Sequence, residues 1–171
     1  MDTSPEQQFQ GLKEHYLEAL ERGFPAFVQS IEDSTPINAT PYVTTWSDFM
    51  RQEFAPPKRA LVDALQGAIQ ELLDSGLRAE ILLIGGSFLM SDAVPKDLDC
   101  VLYYTCEPET KIDLLRRQAD FRAVGLDMRL LPIEMDPVMV LKTALFFGVL
   151  YTRGREASPQ LRGLVLVDCS K

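Results

Sequence analysis

The chain has 171 residues, of which 46% are hydrophobic and 25% are charged, enough for one folded domain with its own core. Its formal net charge of −8 argues against a broad nucleic-acid-binding surface, which needs a positive field. The N-terminus is acidic and polar and no run of about 18 apolar residues occurs, so we expect a cytoplasmic protein without a membrane-spanning segment. Three irregularly spaced cysteines and a single histidine exclude a disulfide framework, a histidine-based zinc site and a Ser/His/Asp triad.

The first predicted helix covers residues 4–23. Ser4 is suited to cap its N-terminus, and Gly23 can end it. The segment that follows contains the polar stretch EDSTPINATP and is predicted to be a loop. We therefore divide the chain into an N-terminal helical extension over residues 1–43 and a main domain over residues 44–171.

Two helices and a strand are predicted next. The stretch TTWSDFMRQEF forms a short helix capped by Thr45, and PPKRALVDALQGAIQELLDSG forms a long helix that ends at Gly76. Apolar residues of the long helix recur at helical spacing and make one stripe. The stretch AEILLIGG is nearly all apolar, which is typical of a strand covered on both faces of a sheet.

The remainder of the chain alternates between strands and helices. Strands are predicted in LDCVLYYT, GLDMRLLPIE and RGLVLVDC, and helices in PETKIDLLRRQADF and DPVMVLKTALFFGVLY, the second of which is capped by Asp136. The pattern predicts an α/β (α+β) domain with a short mixed sheet flanked by helices and an N-terminal helical extension.

Two aspartates, Asp97 and Asp99, begin the second predicted strand. Alternate strand residues share a face, so their Cα atoms should lie about 6.6 Å apart on one side of the sheet. Two such carboxylates repel by roughly 2–3 kcal/mol, and a Mg²⁺ ion between them reverses that cost. Asp127 can lie beside Asp99 if the second and third strands pair. The three acids are the candidate catalytic and metal-binding residues, at a site for one or two Mg²⁺ ions and phosphoryl or nucleotidyl transfer.

A glycine pair precedes the acids. Gly85 and Gly86 let the backbone approach a ligand closely, and Ser87 offers a hydroxyl and an N–H to phosphate oxygens. The pattern is neither GxGxxG nor a P-loop. These three residues are the candidate nucleotide-binding residues.

The stretch LLIGGSFLMSDAVPKDLDCVLYY resembles the active-site signature of the DNA polymerase beta-like nucleotidyltransferase superfamily. That signature has an apolar strand, a Gly-Gly or Gly-Ser turn, a spacer, and Asp-x-Asp at the next strand. The resemblance implies that Gly86 and Ser87 contact a triphosphate, that Asp97 and Asp99 bind metal, and that Asp127 is the third carboxylate. Phe88 and Leu89 depart from the pattern, since many minimal members carry an arginine after the turn.

The resemblance also implies a function. A nucleotidyltransferase fold would use Mg²⁺ or Mn²⁺ and an NTP such as ATP, and would transfer a nucleoside monophosphate to a hydroxyl of an unknown acceptor. The acceptor could be a protein, an RNA or a small molecule. The finer pattern is similar to a small bacterial branch of the superfamily, some of whose relatives lie in toxin–antitoxin or defence loci.

Other interpretations of the same residues stay open. Asp97 can cap the loop after Pro95 while Asp99 faces solvent, and Asp127 can simply pair with Arg122 or Arg129. The protein would then be an inactive nucleotidyltransferase-fold binder of a protein partner, antitoxin- or immunity-like, or a sensor that binds NTP without turnover. The apolar stretch MVLKTALFFGVLY is predicted to be a buried helix or a partner surface.

Arginines form two groups whose positions the sequence does not fix. The first group consists of Arg116, Arg117, Arg122 and Arg129, and is more typical of a solvated helix face than of a phosphate- or RNA-facing patch. The second, which flanks the loop before the last predicted strand and can face the acids, consists of Arg153, Arg155 and Arg162.

Overall fold

A computed structural model gives the fold of residues 5–91, 93–108, 110, 112–153 and 161–171. Five strands and five α-helices follow one another along the chain within these ranges, and the sequence predicts all five helices and four of the strands. The helices are α1 (Pro5–Glu21), α2 (Trp46–Met50), α3 (Pro56–Asp74), α4 (Leu114–Ala123) and α5 (Pro137–Thr152). The strands are β1 (Tyr42–Thr45), β2 (Leu77–Gly85), β3 (Leu98–Cys106), β4 (Leu126–Pro132) and β5 (Val165–Asp168), and a 3₁₀ turn covers Gly86–Leu89.

The five strands form one mixed sheet in the order β1-β5-β2-β3-β4. Strand β2 runs antiparallel to both of its neighbours, β3 and β5. The two outer pairs, β1 with β5 and β3 with β4, are parallel. Helix α4 makes the crossover that a parallel β3–β4 connection requires. The mixed sheet flanked by helices is therefore confirmed.

One face of the sheet carries the larger hydrophobic core. Helix α3 contributes Leu61, Leu65 and Leu72 from its predicted stripe, and these side chains pack with buried strand residues such as Leu82 and Leu102. Helix α1 packs on the same core through buried Tyr16 and Ala19. The irregular segment after α1 joins this core as well, through Phe24 and Val28.

Helix α5 covers the opposite face of the sheet. Its inner side chains, among them Phe147 and Tyr151, pack against Leu83, Val101 and Tyr103 of the central strands. The sheet is therefore covered on both faces, which explains why β2 and β3 are almost continuously apolar. Within the described residues, no helix is long and apolar enough to cross a membrane.

Several local predictions are confirmed by the caps and turns. The Thr45 side chain accepts a hydrogen bond of 3.1 Å from the backbone N–H of Asp48, and the Asp136 side chain accepts one of 2.9 Å from that of Val138. Gly23 and Gly76 follow α1 and α3 with positive φ angles of 70° and 86°. The predicted Ser4 cap lies outside the described residues.

Three boundaries differ from the prediction. Strand β1 was absent from it, because this four-residue segment becomes a strand only by pairing with β5 far along the chain. Helix α4 begins at Leu114, later than expected, because Asp113 caps it by accepting the backbone N–H of Arg116. Asp97 lies just before β3 rather than within it, since the strand starts at Leu98.

Candidate functional site

The register of three strands brings the predicted acids to one end of the sheet. Asp99 is the Cα partner of Gly85 in the antiparallel β2–β3 pair and of Asp127 in the parallel β3–β4 pair. The prediction that Asp127 lies beside Asp99 is therefore confirmed. Neighbouring strands lie about 4.7–4.9 Å apart, so the side chains of Asp99 and Asp127 start from adjacent positions on one face of the sheet.

Alternation along the strands sets the face on which the acids lie. Leu98 and Cys100, on either side of Asp99, are fully buried in the core under α3. Leu126 and Met128 flank Asp127 in the same way. Asp99 and Asp127 therefore project from the opposite face of the sheet, the one that α5 covers.

Gly86 packs directly against Asp99 at the start of the 3₁₀ turn. Its φ angle is 71°, and a Cβ atom added there would overlap Oδ2 of Asp99. Gly85 approaches helix α5 just as closely, since a Cβ there would overlap Cβ of Tyr151. The glycine pair thus lets the end of β2 approach a carboxylate and a helix of the protein itself, and the predicted contact of these glycines with a nucleotide stays a prediction.

A cleft of about 600 Å³ opens at this end of the sheet. Acidic and basic side chains line the cleft together with apolar side chains of α5. The acids are Asp97, Asp99 and Asp127, the basic residues are Lys96, Arg129, Arg153 and Arg162, and the α5 wall consists of Phe147, Leu150 and Tyr151; Gly86, Ser87 and Val94 complete the lining.

Two arginines contact Asp127. Arg122 Nη2 lies 3.2 Å and Arg129 Nη2 lies 3.5 Å from Oδ1 of Asp127, so both contacts go to the same carboxylate oxygen. The Asp127 side chain is 34% exposed, which makes this a partly solvated cluster. Among the residues whose structure is described, no three His, Cys, Asp or Glu side chains form a group that could hold a metal ion.

Tyr151 closes the cleft from the side of α5. Burial raises the pKa of its phenol well above the ordinary value, and the neighbouring Cys100, Asp99 and Asp127 act in the same direction. The phenol therefore keeps its proton at neutral pH. A neutral hydroxyl next to carboxylates can donate a hydrogen bond, which gives the acidic end of the cleft a donor for an anionic ligand.

A family model described as "Family of unknown function (DUF6932)" matches residues 18–167. The chain belongs to the DUF6932 family. No curated protein and no solved structure matches it. The matched range of this DUF6932 member includes every residue that lines the cleft.

The predicted site residues of this DUF6932 member differ in whether they reach the cleft. The three acids, Gly86 and Ser87 line the cleft together, while Gly85 supports it from the strand. Arg153 and Arg162 also reach it, and Arg155 lies outside the described residues. Arg117 is directed elsewhere, to Glu71 of α3 at 3.1 Å.

Phe88 and Leu89 are buried on the other side of the 3₁₀ turn. They line a separate apolar cavity of about 360 Å³, where the rings of Phe88 and Phe54 lie 5.7 Å apart. These two residues therefore pack within the protein rather than face the acids. Trp46 and Phe49 of α2 stack with their ring centroids 6.2 Å apart, and Phe49 is buried in the larger hydrophobic core.

Sequence reasoning missed Lys96, Phe147, Leu150 and Tyr151 as cleft residues. Lys96 could have been found, because it directly precedes Asp97. The three α5 residues gave no signal, since a helix that is apolar almost all round does not reveal which side chains reach the end of the sheet.

Proposed function

We propose that this protein is a Mg²⁺-dependent nucleotidyltransferase that moves a nucleoside monophosphate from an NTP to a hydroxyl of an acceptor. The observation that carries the proposal is the register that pairs Asp99 with Asp127 while Gly86 packs against Asp99. The Gly-Gly-Ser turn and the Asp-x-Asp pattern, which resemble the DNA polymerase beta-like superfamily, meet at one cleft. The strand–turn–strand context that such a motif needs is therefore present.

The acids at the cleft suit a hard divalent cation in donor chemistry, and their carboxylates would have to draw together around the ion, because they do not form a three-ligand group in the described structure. Asp97, Asp99 and Asp127 would hold Mg²⁺ or Mn²⁺, since carboxylate oxygens are the ligands these ions prefer. When bound, the ion would neutralise the phosphates and stabilise the charge that develops at phosphorus. Asp127 would exchange an arginine contact for the ion or bind it through Oδ2, since both arginines contact Oδ1.

The remaining cleft residues would bind and orient the triphosphate. Ser87 offers a hydroxyl at the turn, and Arg129, Arg153 and Arg162 supply positive charge around the same cleft. Tyr151 keeps its proton because burial raises the pKa of the phenol, so it can donate to a phosphate oxygen. These groups explain how an acidic chain can still hold a highly charged anion locally.

The transfer would form a bond between the acceptor oxygen and the α-phosphorus and break the bond from that phosphorus to the pyrophosphate. The proton of the acceptor hydroxyl would pass to the carboxylate of Asp127, which lies across the strand pair from Asp99. Pyrophosphate would leave with both electrons of the broken bond. The exposed rim of the cleft leaves room for an acceptor that is itself a protein or an RNA.

The test is thermal unfolding with Mg²⁺ and each NTP in turn. An NTP at about a hundredfold its Kd stabilises by about 2.7 kcal/mol, which raises Tm by roughly 5–10 °C for a chain of this size. Asp99→Asn should abolish the metal-dependent shift. Asp120→Asn is the matched control, because Asp120 is exposed on α4 and takes no part in the cleft.

Transfer itself can be followed with an NTP labelled at the α-phosphate. Label should appear in a protein, an RNA or a small molecule of a cell lysate with wild type and with Asp120→Asn, and not with Asp99→Asn. If no NTP shifts the Tm of the wild type in the presence of Mg²⁺ or Mn²⁺, the proposal is wrong.

A second candidate function follows from the arginine contacts of Asp127. An acid held by Arg122 and Arg129 is an ordinary structural arrangement, and it suits a protein that keeps this fold to bind a partner or an NTP without catalysis. A pure partner binder should show no NTP-dependent shift, and an NTP sensor should show the shift without any transfer of label. The two experiments therefore separate all three possibilities.

A further inference from the structure

Helix α5 has two apolar faces, and the sheet covers only one of them. The inner face packs through Val140, Ala144, Phe147 and Tyr151. The opposite face, here called the outer α5 face, is exposed to solvent. It consists of Val138, Met139, Leu141, Leu145, Phe146, Val149 and Leu150.

The outer α5 face is large enough for a stable interface. Its seven side chains are each between 47% and 70% exposed. Together they leave about four side chains' worth of apolar surface, or on the order of 600 Å² at roughly 150 Å² for each large side chain. A typical monomer exposes at most about 300–600 Å² in its largest apolar patch, and specific complexes need at least roughly 500 Å² from each partner.

The charge pattern indicates what kind of partner fits. Lys142 is the single charged residue of α5, although the whole chain carries a net charge of −8. Lys142 lies within the outer α5 face, one helical turn from both Val138 and Phe146, so its long side chain would have to extend past the contact to keep the ammonium group in water. A face with so little charge offers no complementarity to a nucleic acid or a strongly charged protein. The surface that matches it best is another apolar helix face.

Little apolar surface of the given sequence lies outside the described ranges. The residues outside those ranges include one large apolar side chain, Met1, and residues 154–160 read GREASPQ. A second copy brings the same helix face, and two-fold symmetry makes one patch its own complement. We infer that the protein is a homodimer whose two copies meet through the outer α5 face.

The interface borders the candidate site. Leu150 belongs to the outer α5 face and also lines the cleft that holds Asp99. In such a dimer the partner copy would lie at the rim of the cleft, beside Leu150.

The test is the mass in solution, measured by light scattering over a wide range of protein concentration. The wild type should have twice the 19.2 kDa mass of the chain. Leu145→Glu and Phe146→Glu, made separately, should raise the dissociation constant by at least roughly a hundredfold, because symmetry buries each new charge twice. Leu115→Glu is the matched control and should remain dimeric, since Leu115 is 81% exposed on α4.

Circular dichroism and thermal unfolding will show that each variant is folded. A wild type that stays monomeric at every concentration overturns the inference, including one that binds lipid vesicles or another protein through α5. A dimer that survives both glutamate variants also overturns it. Neither result bears on NTP binding, which is measured separately.

Discussion

Gly86 occupies a position where any side chain would displace a carboxylate of the candidate site. Its φ of 71° lies in the left-handed region, and a Cβ would overlap Oδ2 of Asp99. Gly86→Ala should therefore destabilise the protein by on the order of 1–3 kcal/mol in denaturant unfolding and weaken any NTP-dependent shift.

Gly67→Ala provides the matched control with the opposite sign. Gly67 lies within α3, and a Cβ there would meet nothing within 4 Å. This change should stabilise the protein by roughly 0.5–1 kcal/mol, because alanine favours the helix over the unfolded chain. Equal effects of the two changes would contradict the close packing of Gly86 on Asp99.

The reactivity of the cysteine thiols measures how accessible strand β3 is to solvent next to the candidate site. Cys100 is buried beside Asp99, and burial raises the pKa of its thiol well above the ordinary value; burial also raises that of Cys169 to about 12. Cys106 is exposed at the end of β3. A thiol reagent should therefore modify Cys106 quickly in the native protein and Cys169, which is only partly exposed and has a raised pKa, much more slowly, while Cys100 should react only on unfolding.

Replacing Cys106 tests whether its thiol is the one that reacts rapidly. Cys106→Ser should remove the rapid phase and leave the slow one. Rapid modification of Cys100 in the native protein would show that the sheet opens next to the acids.

At the scale of elements, one ion pair connects α1 to α2. Lys13 Nζ lies 3.1 Å from Oδ2 of Asp48. Partial burial alone would raise the pKa of Asp48, but the hydrogen bond and charge of Lys13 and the charge of Arg51 outweigh it, so the pKa lies below its ordinary value. A carboxyl whose pKa is lowered by folding stabilises the protein above its unfolded pKa, and the contribution disappears as pH falls through the folded value.

Asp48→Asn should therefore lower the free energy of unfolding by about 0.5–1 kcal/mol at neutral pH. The difference from wild type should shrink as the pH falls below about 4, where the wild-type carboxyl takes up its proton. Urea unfolding at a series of pH values measures this, with Asp120→Asn as the control. A difference that stays constant down to pH 2–3 would contradict the assigned pKa direction.

Across the whole molecule, the elements that sequence reasoning found are those with local signals. Helix α3 has its apolar stripe and α5 its Asp136 cap, and β2 is recognisable from an apolar run bounded by glycine. Strand β1 has no such signal, because its four residues pair only with β5 in the sheet. A local sequence pattern does not show that a segment pairs with a strand more than a hundred residues away.

In the candidate site, too, some residues have a local sequence signal and others depend on how the elements pack. The spacing within residues 85–99 predicted the glycine turn and two of the acids, since those residues lie on adjacent elements. Asp127 could be placed beside Asp99 only under the condition that β3 and β4 pair. Both arginines that contact Asp127, Arg122 and Arg129, were named from the sequence as its possible partners. That Tyr151 closes the cleft depends on how α5 packs on the sheet and had no local signal.

The position of β5 between β1 and β2 has a consequence for synthesis on the ribosome. Strand β1 is complete by residue 45, yet its partner in the sheet is made of residues 165–168. While the intervening stretch is translated, β2, β3 and β4 can already assemble, whereas β1 and the exposed edge of β2 wait for the same late segment. The nascent chain therefore carries two unpaired strand edges until β5 leaves the exit tunnel, and it is then that a chaperone would have the most to protect.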